Sequence, residues 1–155
     1  TGVQDFELLQ LVGRGAFGKV ILVRKKTGLK AGMVFAMKVL SKTFVIANGQ
    51  VRHCLGERAI LQQTNQPFIV HLRFAFQSDK KLYLVTDYYN GGNLLMHLSQ
   101  HKTFTYEQTV FYAAEILSAL EYLHSKNIIY RDLKLENLMM DHHGDSAKAC
   151  IYKRR

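Results

Sequence analysis

Short runs of alternating apolar and polar residues dominate the first part of the chain. Phe6–Val12 (FELLQLV), Lys19–Arg24 (KVILVR) and Val34–Leu40 (VFAMKVL) read as strands, rich in β-branched and large apolar side chains. A glycine-rich loop, Gly13–Gly18, separates the first two, and a polar bend, Thr27–Gly32, separates the second and third. Strand, short loop, strand, bend, strand predicts an antiparallel meander. The period then changes. Ile46–Gln63 contains a helical stretch, with Val51, Cys54, Leu55, Arg58 and Leu61 at three- and four-residue steps. Gly49 and Gly56 weaken it, and Pro67, the single proline, ends the region. Val70–Gln77 and Lys81–Asp87 predict a hairpin across Ser78-Asp79-Lys80.

After Asn90-Gly91-Gly92 the pattern becomes helical. Asn93–Gln100 predicts a short helix and Thr105–Lys126 the strongest helix of the chain. Thr105 can cap it, with Gln108 closing a capping box. Val110, Ala113, Leu117 and Leu120, widened by Ile116 and Leu123, form an apolar stripe expected to face a core. Strands before the glycine pair and helices after it predict a two-lobe α+β plan with a hinge near Gly91-Gly92. No internal repeat or low-complexity segment interrupts it.

Composition narrows the class without choosing a function. The 155 residues suffice for one modest domain or two small lobes, and the 48% apolar content supports a buried core. Lys and Arg outnumber Asp and Glu by 21 to 12, a net of +9, which favours anionic partners, although a solvated basic surface fits equally. Cys54 and Cys150 are the only cysteines; they make no disulfide framework and lack metal-ligand neighbours. That pattern fits a reducing compartment. The expected setting is intracellular: the cytoplasm, with the nucleus also open to it. No apolar run reaches the roughly 18 residues of a membrane span, and no basic-then-apolar leader opens the chain. The first residue is Thr1, not Met, which points to a fragment of something longer.

Candidate chemistry begins at GRGAFGKV, where Gly13, Gly15 and Gly18 make a G-x-G-x-x-G pattern. Such glycines let backbone N–H groups approach phosphate without a Cβ in the way. A dinucleotide fold would need a helix next and an acidic residue about 20 positions on. Here KVILVR continues as strand, and the residue at that distance is Lys38. The glycines therefore belong to a strand–loop–strand hairpin that can fold over phosphates, or to a plain flexible turn. Lys38 lies among apolar neighbours in FAMKVL, where an unpaired ammonium is costly unless the strand is at an edge. Glu57, on the following helix, could pair with it and aim it at phosphate oxygens. Further on, YRDLKLEN places Asp132, Lys134 and Asn137 between apolar runs. Asp132 could accept or orient a hydroxyl proton, Lys134 could offset charge on a transferring phosphoryl group, and Asn137 could offer oxygen to Mg²⁺. A loop of solvated charges is the alternative for each taken singly.

Together, the glycine-rich hairpin, strand lysine, helix glutamate and R-D-x-K-x-x-N loop resemble the eukaryotic protein kinases, from about Phe6 to about Gly144. YRDLKLENLM, AMKVLSK and LYLVTDYYNGGNL resemble the AGC group of Ser/Thr kinases in particular. The resemblance implies a two-lobe kinase fold, with an N-lobe at about 6–90 and the start of a C-lobe at about 91–144. It implies ATP and Mg²⁺, and transfer of the γ-phosphoryl group to Ser or Thr hydroxyls of a protein substrate. Gly13, Gly15 and Gly18 would cover the phosphates, and Lys38, held by Glu57, would contact them. Val12, Val20, Ala36 and Met139 would sandwich adenine. Thr86 would be the gatekeeper and Asp87 to Tyr89 the hinge. Asp132 would be the catalytic base, Lys134 the phosphate-stabilising lysine and Asn137 a Mg²⁺ ligand. Leu61, Leu72 and Tyr130 match an apolar stack that links the lobes. Glu136 matches a reader of substrate arginine, whereas Asn93 stands where many relatives carry Glu, which weakens a basic-substrate preference. A groove near Lys42 and Leu82 would dock a hydrophobic-motif peptide.

The resemblance breaks after Gly144. The family's Asp-Phe-Gly should begin near position 150, yet DSAKACIYKRR holds none, so residues 145–155 read as a divergent basic tail. The expectation is a chain truncated before its second metal ligand, nearly inactive alone, and exposing apolar surface on Thr105–Lys126. Two other readings stand beside it: a non-catalytic nucleotide-binding, scaffold or decoy module, and a basic nucleic-acid binder with salt-sensitive affinity. The second leaves the kinase motifs unexplained, so no specific nucleic acid is expected.

Overall fold

A computed structural model describes residues 1–15, 18–141 and 147–149. The chain divides into two compact units. The first holds Thr1–Gln62 and His71–Tyr88, and the second Gln63–Val70 and Tyr89–Arg155.

The first unit is built on a five-stranded antiparallel sheet in the order β1-β2-β3-β5-β4. Its strands are β1 (Phe6–Gly15), β2 (Gly18–Lys25), β3 (Val34–Ser41), β4 (Leu72–Gln77) and β5 (Lys81–Asp87). The three-strand meander and the β4–β5 hairpin follow the alternation in sequence; β1 runs three residues beyond the expected Val12, into the glycine run. Phe35, Met37 and Val39 alternate along β3 and are buried with Phe6, Ile21, Val23, Tyr83 and Val85. Phe74 and Phe76 pack against this cluster, with Phe76 stacked on Tyr83 at a centroid separation of 4.9 Å. Successive strand residues face opposite sides. Ala36 and Lys38 therefore occupy the other face of β3.

Two helices stand where one helical stretch was expected. Helix α1 spans Lys42–Ala47 and α2 spans Val51–Gln63. Ser41 caps α1, its Oγ accepting from Phe44 N at 3.4 Å. Gly49, at φ +64°, makes the break between them, a left-handed conformation that costs glycine nothing.

The second unit contains α3 (Leu94–His101), α4 (Tyr106–Ser125), a single 3₁₀ turn (Leu135–Asn137) and a small antiparallel pair, β6 (Leu138–Met140) with β7 (Ala147–Ala149). Asn93 caps α3, and Thr105 with Gln108 closes the expected capping box of α4. The expected stripe on α4 holds only in part: Leu123 is buried, together with Ala119 and Glu115, whereas Val110 and Leu117 are 49% and 67% exposed, in keeping with the apolar surface expected on this helix. The inward face is fixed by polar anchors that a hydrophobic count passes over. Glu115 accepts from the Ala147 backbone N–H at 2.6 Å. Gln66 Nε2 donates to Ser118 Oγ at 3.2 Å, and the Asn65 backbone N–H donates to the Tyr122 hydroxyl at 3.2 Å. Ala147–Ala149, read from sequence as tail, form β7, and Ala147 is buried. The rest of 145–155, including position 150 where Asp-Phe-Gly was sought, lies outside the described residues. Among the described residues, no helix is long and apolar enough to cross a membrane.

Candidate functional site

Sheet register assembles half of the sequence-derived site in the first unit. Lys38 is flanked by Val20 on β2 and Leu84 on β5; Ala36 is flanked by Leu22 and Thr86. Residues opposite one another on neighbouring strands share a face. Val20, Ala36, Lys38 and Thr86 therefore line one face in two adjacent rungs, opposite the aromatic cluster. Val12 is exposed on β1, in the register shift between Leu11 and Gly13.

Lys38 Nζ lies 2.8 Å from Glu57 Oε1 on α2. Glu57 is almost wholly buried, while Lys38 keeps part of its side chain in solvent. Burial pushes the Glu57 carboxyl above its ordinary value, and the ammonium opposes that rise. Two effects compete at this carboxyl, and desolvation is the larger. The ion pair fixes the lysine side chain in place on the sheet.

The three glycines are not equivalent. A Cβ at Gly18 would collide with the Val39 carbonyl oxygen, so the sheet itself demands glycine there. Gly13 and Gly15 have nothing within 4 Å of such a Cβ. Space above their backbone is what a phosphate-covering hairpin requires.

At the far end of β5, Thr86 is buried, and its hydroxyl donates to the Ala36 carbonyl at 3.5 Å, a weak bond. The Asp87 carboxylate accepts two bonds from Arg73, one from Nε and one from Nη2, each 2.7 Å. The Asp87 carboxylate is therefore engaged with Arg73.

The second unit gathers the other half. Asn137 Nδ2 donates to the Asp132 carbonyl at 2.9 Å and to Asp132 Oδ2 at 2.8 Å. Lys134 Nζ stands 3.5 Å from Asp132 Oδ1. The 3₁₀ turn at Leu135–Asn137 folds the segment back so that residues five apart meet. Tyr130 is buried beside it. Arg131 has φ +62°, a strained value for a residue with a Cβ. The sequence reading missed this residue, although it lies inside YRDLKLEN, because side-chain type does not report backbone sign. Asn93 Oδ1 accepts from Met96 N at 2.9 Å, and Asn93 bridges Met139 through the backbone. The amide oxygen of Asn93 is thus engaged as a helix cap. Tyr89 is half-buried in this unit.

The donor chemistry suits a nucleotide better than a complete metal site. Asn137 turns its amide nitrogen to Asp132, which leaves its oxygen as a hard ligand, and Asp132 adds a carboxylate. Among the described residues, no group of three or more His, Cys, Asp or Glu could hold a metal ion. Mg²⁺ commonly takes only one or two protein carboxylates alongside phosphates and water. The Asn137 amide oxygen is a donor of the kind such a site uses.

Lys42 and Leu82 both line an apolar groove of about 420 Å³ in the first unit, together with Val45, Cys54, Arg58 and Phe76. Burial raises the Cys54 thiol above its ordinary value, and neighbouring Glu57 adds to the rise. The thiolate fraction is accordingly small.

These features belong to one class. A model of the protein kinase domain matches residues 6–151, and the chain belongs to that family. Its similarities place it in the AGC group of Ser/Thr kinases. It is 54% identical over 144 residues to the RAC family serine/threonine-protein kinase homolog of Dictyostelium discoideum, covering 93% of this chain and 32% of that protein. It is 51% identical over 142 residues to the RAC-beta serine/threonine-protein kinase of Homo sapiens, covering 92% and 29% respectively. With the RAC serine/threonine-protein kinase of Drosophila melanogaster, identity is 49% over 142 residues, covering 92% and 23%. The chain thus spans about a third or less of the length of these curated relatives.

Proposed function

We propose that these residues bind ATP and serve transfer of its γ-phosphoryl group to Ser or Thr hydroxyls of a protein substrate. The observation that carries this reading is the 2.8 Å Lys38–Glu57 pair on the sheet face shared with Val20, Ala36 and Thr86. The apolar members would hold adenine, with Val12 beside them. Lys38 would pair with phosphate oxygens while Glu57 keeps it from collapsing onto other acceptors. Gly13, Gly15 and Gly18 would present backbone N–H groups to the same phosphates. Asp132, oriented by Asn137, would take the proton of the attacking hydroxyl at its carboxylate. Lys134 would offset charge on the phosphoryl oxygens. Mg²⁺, held on the protein side by Asn137, would neutralise phosphate charge when bound.

The 155-residue chain by itself is expected to bind nucleotide and transfer phosphate poorly. The support is its partial metal set, together with the lack of Asp-Phe-Gly in DSAKACIYKRR. The test is radiolabelled γ-phosphoryl transfer to a basic Ser/Thr peptide, with Lys38→Met as control. Transfer by the unmodified chain should not exceed the control; robust Lys38-dependent turnover would refute the inactivity, and nucleotide binding indifferent to Lys38 would refute the site.

A second reading concerns the groove. Its apolar lining and the cationic Lys42 and Arg58 fit an aromatic, acidic peptide such as a hydrophobic motif. Fluorescence polarisation with a Phe-containing acidic peptide should show saturable binding that Leu82→Glu abolishes. An intracellular setting, cytoplasmic or nuclear, suits both readings.

A further inference from the structure

We infer that Arg73 is a positioning residue for the adenine end of the nucleotide site. The inference rests on the nucleotide reading above and concerns one neighbourhood of the first unit. Between Leu72 and Phe74 the β4–β5 register slips, and Arg73 is the residue in the slip. A register shift of this kind re-aims a side chain. Here Arg73 meets Asp87, the last residue of β5. The guanidinium makes a two-pronged contact, Nε to Oδ1 and Nη2 to Oδ2, both 2.7 Å. Asp87 also donates its backbone N–H to the His71 carbonyl at 3.3 Å, and its neighbour Thr86 is bonded to Ala36. The end of β5 is therefore fastened to strands on both sides. Tyr88, one residue on, closes the first unit.

Both side chains are partly open to solvent, 37% for Arg73 and 23% for Asp87, which tempers the stability the pair adds, although a bidentate fork is the strong form of such a pair. What a planar fork does supply is direction: it fixes the carboxylate plane, and with it the peptide to which the carboxylate belongs. That peptide opens the 87–89 segment assigned to the base. A mobile strand end would have to be ordered each time adenine bound, and prior ordering removes that cost. Lysine at position 73 would keep the charge but lose the fork.

The test separates the base from the phosphates. Calorimetry measures binding of MgADP and of magnesium tripolyphosphate, which has no base, to the full chain and to its Arg73→Ala and Arg73→Lys variants. Arg73→Ala should weaken MgADP about fivefold and tripolyphosphate by less than about twofold. Arg73→Lys should fall between. Equal weakening of both ligands, or none, overturns the positioning role, because a merely structural defect does not distinguish base from phosphate. Absence of MgADP binding by the unmodified chain defeats the nucleotide reading, and this inference with it. Tripolyphosphate binding lost in Lys38→Met but retained in Arg73→Ala would support the division of labour.

Discussion

Each unit places a lysine against a carboxylate, and the two pairs are physically different. Lys38 and Glu57 meet at 2.8 Å with the carboxylate buried. Lys134 and Asp132 stand 3.5 Å apart with both side chains partly in water. In the first, desolvation sets the terms: the carboxyl is pushed up, and the ammonium opposes that rise. In the second, solvent screens the charges, and Asn137 rather than Lys134 fixes the carboxylate. A structural clamp can be buried, because its partner never leaves. A group that must exchange a proton with a substrate has to stay reachable. On the proposed reading, the same residue types would serve as an anchor in one unit and as a base in the other.

The largest consequence falls on the buried pair. Lys38→Met leaves Glu57 buried without its partner and should destabilise the chain by about 3–5 kcal/mol at neutral pH in urea unfolding. Lys38→Met/Glu57→Gln should recover most of that loss, and a double variant no better than the single would break the contrast.

The pH dependence sharpens it. A carboxyl raised in the folded state gives stability that is full below its ordinary value of 4.5 and lost as pH rises through the folded value. Unfolding midpoints should fall over that window. They should fall further in Lys38→Met, where nothing opposes the rise, and stay flatter in Glu57→Gln.

Smaller effects belong to the second unit. Asn137→Ala removes both bonds to Asp132 and should cost about 1–2 kcal/mol while loosening the loop, seen as faster amide exchange across 131–137. Lys134→Met should change stability by less than about 1 kcal/mol, because the pair is partly solvated. Leu117→Ser, on the exposed face of α4, should stay within about 0.5 kcal/mol; a larger loss would restore the stripe expected from sequence.

That last residue marks where sequence ceased to be enough. Alternation identified all five strands of the sheet, and the Thr105–Gln108 box located α4 to within a residue at each end, because these signals are local. Which face of α4 turns inward depends on Glu115, Ser118 and Tyr122, whose partners are distant in sequence: Ala147, Gln66 and Asn65. Helix α1 was missed because Ser41, its cap, closes a strand as readily as it opens a helix. The Lys38–Glu57 pair was legible because an apolar strand makes an unpaired lysine costly. Arg73 was not, since its bond to Asp87 appears only once β4 has slipped in register. The positive φ of Arg131 likewise leaves no mark in residue type.

The most direct test is calorimetric titration of MgADP into the chain and its Lys38→Met variant, each first shown to be folded by circular dichroism. We predict saturable one-to-one binding to the unmodified chain, weakened at least about tenfold in the variant, in keeping with the loss of a charge-assisted contact to phosphate. Equal affinity in the two, or no binding to a folded unmodified chain, would contradict the assignment of Lys38 and Glu57 to a nucleotide site.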